Sequence, residues 1–206
     1  MRQAFLSGND FHTATAARVF RVEPGEVTHE MRRRAKAVNF GIVYGISAFS
    51  LAQDIGVSVA EAKTYMETYF DTFPGVRQYM TDIVARAKRD GYVETLFHRR
   101  RELPELKSSN FNLRAFGERV ALNMPIQGTA ADIIKLAMVN VFRRLETEGM
   151  QAKLILQVHD ELIVECPEGE TDTVKKILTE EMQNAVHLSV PLIAEANAGH
   201  SWAEAH

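Results

Sequence analysis

A single cysteine, Cys166, stands among the 206 residues. It has no partner for an internal disulfide and no second thiolate for a cysteine metal site. Long apolar runs are missing as well. None approaches the ~18 residues that a membrane helix needs, and residues 1 to 15 lack the apolar core of a signal peptide. The expectation is a protein of a reducing compartment, the cytoplasm, with no membrane contact. Three catalytic signatures are absent too. There is no Gly-x-x-x-x-Gly-Lys-Ser/Thr phosphate loop, no His-Glu-x-x-His and no Gly-x-Ser-x-Gly. A P-loop enzyme, a zinc protease and an α/β-hydrolase thereby lose their main support. No internal repeat, low-complexity tract or Gly/Ser linker divides the chain.

What is present is the balance of a soluble globular protein, 46% apolar and 25% charged. Folding can bury a sizeable core in one domain or two small ones. The net charge of −3 conceals an asymmetry. Residues 1–159 carry a net +5 and residues 160–206 a net −8. Basic clusters lie at Arg32, Arg33, Arg34, Lys36 and at Arg99, Arg100, Arg101, Lys107, Arg114, Arg119. They are either solvated surface or local sites for an anion.

The pattern predicts mostly helix. One helix runs from Thr28 to about Tyr44 after the turn at Pro24-Gly25, and Ser58 with Glu61 forms a capping box for the next. Pro74-Gly75 breaks that one, and a further helix over 76–88 ends near Gly91. Residues 92–97 read as a short strand before a basic loop. A helix over 113–123 meets Pro125, and Thr129 with Asp132 is predicted to cap a separate helix running to Gly149. Residues 153–158 and 162–165 read as two strands about the turn His159-Asp160-Glu161. An amphipathic helix over 171–187 and a last strand over 192–196 follow. Runs of helices with a small antiparallel sheet near the end make this α+β rather than alternating βαβ.

Three constellations can carry chemistry. Arg32, Lys36, Phe40 and Tyr44 recur in steps of four residues, about 400° of helix, and so form one slowly drifting stripe. Its first half is cationic and its second aromatic. Cations near a helix N-terminus oppose the macrodipole, a sign that a bound anion reverses. A phosphate chain on Arg32 and Lys36 would leave Phe40 and Tyr44 to meet a base, with Gly41 and Gly45 removing bulk beside the rings. The other reading has Phe40 and Tyr44 packed in the core. The second constellation is the hairpin turn, which puts an imidazole and two carboxylates where Asn-Gly or Asp-Gly is usual. It is a solvated turn or a rigid mount for a hard oxygen ligand to Mg²⁺. The third is Arg119, Asn123 and Gln127, again four apart, which could donate to minor-groove acceptors of duplex DNA or simply line a polar helix face.

Taken together, these segments resemble the C-terminal part of the polymerase domain of family A DNA polymerases, the bacterial DNA polymerase I type. The stretch from Arg32 through Lys36, Asn39-Phe40-Gly41 and Tyr44-Gly45 resembles the family's second motif, and Gln157-Val158-His159-Asp160-Glu161 its third. Asn123-Met124-Pro125-Ile126-Gln127-Gly128, Leu103-Pro104 and Lys107-Ser108-Ser109-Asn110 match between them. Asp10-Phe11-His12-Thr13-Ala14-Thr15 and Gly199-His200-Ser201-Trp202 match at the ends. The resemblance covers essentially the whole chain.

It implies a mostly helical fingers subdomain over 1–107 and the C-terminal half of a palm over 108–206. It implies templated addition of deoxynucleotides to a primer 3′-hydroxyl by two-metal phosphoryl transfer. Arg32 and Lys36 would take the triphosphate, Phe40 the base and sugar, and Tyr44 the region of the templating base. Asp160 would bind catalytic Mg²⁺ with Glu161 beside it, and Asp160, Glu161 and Lys36 would be the catalytic residues. His159 would touch the primer end, and Arg119, Asn123 and Gln127 the primer–template minor groove. The family's first motif, a strand with Asp-Tyr-Ser and then a Glu, has no counterpart here, and the thumb and nuclease-like domains are absent. The expected partners are therefore primer–template DNA, deoxynucleoside triphosphates and the missing upstream segment, with the 206-residue chain inactive alone. A second departure is His98, where the family usually has Gly, a residue free to adopt φ > 0. A non-catalytic DNA- or nucleotide-binding module and a helical scaffold for protein partners remain the competing readings.

Overall fold

The computed structural model describes residues 2–6 and 10–205. Helices dominate: α1 (Arg2–Leu6), α2 (Phe11–Phe20), α3 (His29–Val43), α4 (Ala48–Ile55), α5 (Val59–Thr72) and α6 (Pro74–Asp90). A small hairpin of β1 (Tyr92–Glu94) and β2 (Arg100–Glu102) leads to the long α7 (Phe111–Thr147). A second hairpin, β3 (Lys153–Val158) and β4 (Glu161–Glu165), precedes α8 (Thr171–Gln183) and the one-turn α9 (Trp202–Ala205). Both hairpins are antiparallel two-stranded sheets. The fold is α+β, as the sequence pattern predicts.

Local chemistry sets the helix boundaries. Thr28 caps α3 by accepting from the Met31 backbone N–H, and Ser58 caps α5 in a reciprocal box with Glu61. Pro74 opens α6 at a position where its missing N–H costs nothing, and Gly91 closes the helix at φ +84°. The chain divides into two compact units, Met1–Gly128 and Thr129–His206, with the boundary inside α7.

The first unit has two clusters of buried side chains. One joins α3, α4 and α5 through Val38, Ile42, Leu51, Ile55 and Tyr69. The other joins α6, the first hairpin and α7 through Ile83, Val93, Leu103 and Leu122. In the second unit, Val141 and Leu145 of α7 pack with Ala152 and with Val174 and Ile177 of α8. Arg144 adds polar fastening there, reaching Glu148 on its own helix and Glu180 and Glu181 on α8.

Four expectations are corrected. Pro125 lies inside one continuous helix, so no separate helix begins at Thr129. Ala121 and Leu122, buried just before it, anchor the helix where the proline removes one backbone bond, and packing outweighs that loss. The strand predicted over 92–97 ends at Glu94, because the Thr95 hydroxyl accepts from the Phe97 and Arg99 backbone N–H groups and starts a turn. The helix predicted to 187 ends at Gln183, where the Asn184 amide donates to the Glu180 carbonyl. Residues 192–196 form no strand, since a strand exists only against a paired neighbour. Their nearest fastening is Gln183 Nε2, which donates to the Ala194 carbonyl.

Candidate nucleotide and nucleic-acid site

The α3 stripe forms as the four-residue spacing requires, and its aromatic half stays out of the core. Phe40 is 45% exposed and Tyr44, which caps the helix, 40%. Their rings stack at 6.3 Å with an interplanar angle of 16°. The Lys36 ammonium lies 5.9 Å from the Phe40 ring centroid, within cation–π reach. Residues 35, 38, 39, 41 and 42 are buried on the opposite face, which points the stripe outward.

The basic run is not uniform. Arg33 and Arg34 both pair with Glu30, whose carboxyl they hold down at about 2, Arg33 most strongly. Arg32 instead donates its Nε to Asp10, before α2. Among the described residues, Lys36 pairs with no carboxylate.

Two residues without an assigned role join the stripe. The His12 ring lies 5.6 Å from that of Phe40, tilted by 43°, and holds the Asn39 amide at 2.9 Å through Nδ1. Burial, with help from nearby Arg32 and Lys36, lowers the His12 pKa against the pull of Asp10. A neutral imidazole accepting at Nδ1 carries its proton on Nε2. Asn39 is buried, and among the described residues its Oδ1 has no hydrogen-bond partner. Asp10 and His12 lie in the segment 10–15 that resembles the family pattern, but no period links residue 12 to residue 40.

The two glycines do different work from that expected. A Cβ on Gly41 would sit 2.7 Å from Ile46 Cγ2, so this glycine admits the returning chain rather than a ligand beside the rings. Gly45, at φ +70°, lies against Leu122 and against Arg119 Cγ. The end of the stripe thus abuts the third constellation on α7. There Arg119 and Gln127 are exposed, while Asn123 is partly buried and its Oδ1 has no partner among the described residues.

The acidic tip belongs to the second unit. Val158 pairs with Glu161, leaving His159-Asp160 as a two-residue turn. His159 takes φ +51°, the positive first position of the primed hairpin turns, where glycine is more at ease. Its carbonyl accepts from Gln157 Nε2 at 2.8 Å. Glu161 opens β4, and its carboxylate accepts from the Trp202 indole N–H at 3.3 Å. Asp160 is exposed, and among the described residues its carboxylate has no hydrogen-bond or ion-pair partner. No group of three or more His, Cys, Asp or Glu able to hold a metal occurs among the described residues. The tip fits Mg²⁺ only as one side of a site, with oxygen donors from elsewhere completing the shell.

The fold is that of a mostly helical α+β protein, whose first unit carries a cationic–aromatic helix and whose second carries an acidic hairpin tip. The particular family follows from the family model for DNA polymerase family A, which matches residues 1–204. The chain belongs to that family. It is 54% identical over 204 residues to DNA polymerase I of Streptococcus pneumoniae serotype 4, covering 98% of this chain and 23% of that protein. DNA polymerase I of Bacillus caldotenax is 53% identical over 205 residues, covering 100% of this chain and 23% of the relative. The solved POL domain of Pol1 from M. smegmatis, in complex with DNA primer-template and dNTP, aligns with a TM-score of 0.94 at 50% identity. That alignment covers 99% of this chain and 36% of the solved one. The chain thus spans about a quarter of the length of the curated relatives it matches. No helix among the described residues is long and apolar enough to cross a membrane.

Proposed function

We propose that this chain supplies the fingers (1–107) and the C-terminal half of the palm (108–206) of a DNA-directed DNA polymerase acting in the cytoplasm at the nucleoid. The observation that carries the reading is the α3 stripe, in which two cations lead into two exposed, stacked rings. A deoxynucleoside triphosphate has the complementary order, a polyanion followed by a flat base. Arg32 and Lys36 bind the triphosphate, Phe40 packs on the base and sugar, and Tyr44 borders the templating position. Arg119, Asn123 and Gln127 donate to minor-groove acceptors, which tests duplex shape without reading sequence. The solved relative in complex with DNA primer-template and dNTP supports both partners.

Asp160 would hold Mg²⁺, with Glu161 beside it fastened by Trp202. An ion held there would supply neutralisation of phosphate charge and would favour the ionised primer hydroxyl. The residues themselves have separate tasks. Lys36, an ammonium with no carboxylate partner among the described residues, supports charge developing on the leaving pyrophosphate. His159 meets the primer end. Glu161 is a poor substitute for a second aspartate, because the Trp202 indole N–H already engages its carboxylate.

A second reading is favoured by one observation: among the described residues no three-ligand metal cluster assembles. By itself, then, the 206-residue chain binds nucleotide and DNA without turnover, and an upstream segment bearing the first motif completes the enzyme. The test is a titration of dATP with Mg²⁺ against the parent, Arg32→Ala and Lys36→Ala, with primer extension run in parallel. Binding weakened about tenfold or more in each variant is expected, as for loss of a charge-assisted contact. Extension is expected only when the upstream segment is added. Unchanged binding in both variants removes the assignment.

A further inference from the structure

The Asp10 carboxylate accepts from three donors on two helices. Oδ1 accepts from the His12 backbone N–H, and Oδ2 from the Thr13 hydroxyl and from Arg32 Nε. The first contact makes Asp10 the N-cap of α2. The last reaches across 22 residues to α3. These bonds, that to Arg32 foremost, hold the carboxyl well below the usual carboxylate range, so Asp10 is charged at any working pH.

The manner of the Arg32 contact is informative. An arginine used only as a structural ion pair typically presents its fork to both carboxylate oxygens. Arg33, one residue on, does this: Nε and Nη2 grip the two oxygens of Glu30. Arg32 gives Asp10 only its Nε. Among the described residues no carboxylate meets its Nη groups, and the side chain remains 43% exposed. A second tie joins the same helices two turns further along α3, where His12 holds Asn39.

We propose that Asp10 is a positioning residue: by fixing Nε of Arg32 it sets the guanidinium plane and leaves both Nη groups as an outward fork for the polyphosphate of a nucleoside triphosphate. This rests on the nucleotide reading of the stripe. An unrestrained arginine loses rotamer freedom when it binds, and a pre-set one loses less. The cost is a fixed negative charge near the anion's path. If that cost dominated, Asp10 would be a competitor for Arg32, and removing its charge would tighten binding.

A double-mutant cycle on the 206-residue chain decides between these roles. Asp10→Asn keeps an N-cap acceptor for α2 but removes the charge that grips Arg32. Calorimetric titrations use dATP and, separately, inorganic tripolyphosphate, which lacks the base and sugar. Asp10→Asn is expected to weaken both ligands by about three- to tenfold, the range for loss of one exposed charge-assisted hydrogen bond. In the Arg32→Ala background the same change is expected to do nothing further, while in the Lys36→Ala background its effect persists. Equal weakening with and without Arg32 would mean that Asp10 only caps α2, and would overturn the proposal. Unchanged or tighter binding on Asp10→Asn overturns it as well. Full binding by both Arg32→Ala and Lys36→Ala would instead remove the nucleotide reading, and the positioning role with it. Should circular dichroism show Asp10→Asn unfolded, Asp10→Ser, which retains a capping oxygen but is too short for Arg32, goes through the same cycle.

Discussion

His98 sits at φ +62° in the turn between β1 and β2, a conformation that an L side chain adopts at a cost and glycine does not. The family pattern has Gly at this place, and the backbone explains why. The His98 N–H is held by the Thr95 carbonyl at 3.0 Å, so the turn cannot relax without losing a bond at buried Thr95. His98→Gly should stabilise the fold by about 0.5–1 kcal/mol, the αL relief less the entropy of a new glycine. Urea denaturation reads this directly, and a lower midpoint would mean that the His98 contact with Glu94, at 3.8 Å, outweighs the strain. His12 offers a second test at this scale. Its pKa is lowered on folding, chiefly by burial, so the unfolded chain binds more protons as pH falls. The stability it contributes is complete above the ordinary histidine pKa of about 6.5 and is lost as pH drops through the folded value. Melting temperatures between pH 7.5 and 5 should fall more for the parent than for His12→Gln, and parallel curves would refute the linkage.

At the scale of elements, α3 is fixed from both sides. Its N-cap, its buried face and its outward stripe all follow from one period, and α2 is tied to it by Asp10–Arg32 and His12–Asn39. The turn after it is tighter than the periodicity suggests. Gly41→Ala would place a Cβ 2.7 Å from the branched Cγ2 of Ile46, an atom close to the backbone with little freedom to retreat. The expected destabilisation is about 1–3 kcal/mol, as for overpacking elsewhere. Adding Ile46→Ala should recover part of it, and a neutral single variant would show that the turn is loose. Element α7 makes the opposite point. Pro125 alone reads as a terminator, yet buried side chains before it, Ala121 and Leu122, and after it, Ile134 and Ala137, hold one helix through.

For the whole molecule, the unfinished part is the second sheet. Two strands rarely make a stable sheet alone, and β3–β4 leans on α7 and α8 through Leu162 and Val164. A bulge at Ile155 interrupts the register, and Ile155 and Leu156 remain 55% and 45% exposed. Exposed apolar residues on an open strand invite pairing with another chain. The purified chain should therefore associate as its concentration rises, and Ile155→Lys should shift sedimentation toward monomer without lowering helix content. Monomeric parent protein at all concentrations would contradict this.

The features legible in the sequence are those that depend on neighbours within a turn or two. The Thr28 cap, the Ser58–Glu61 box, the stripe of Arg32, Lys36, Phe40 and Tyr44, and the hairpin presenting Asp160 are all set by spacings of two to four residues. Such spacings fix helix faces and turns before any tertiary contact forms. Tertiary structure alone decided which cations are spent on local pairs and which stay open. It also joined His12 to Phe40, set Glu161 against Trp202, carried α7 past Pro125 and left 192–196 without a partner strand. Each of those outcomes depends on groups brought together from distant positions, or on packing strong enough to override a local preference. Hydrogen-bond reach and close packing act through space, and a periodic pattern records only what lies on one element.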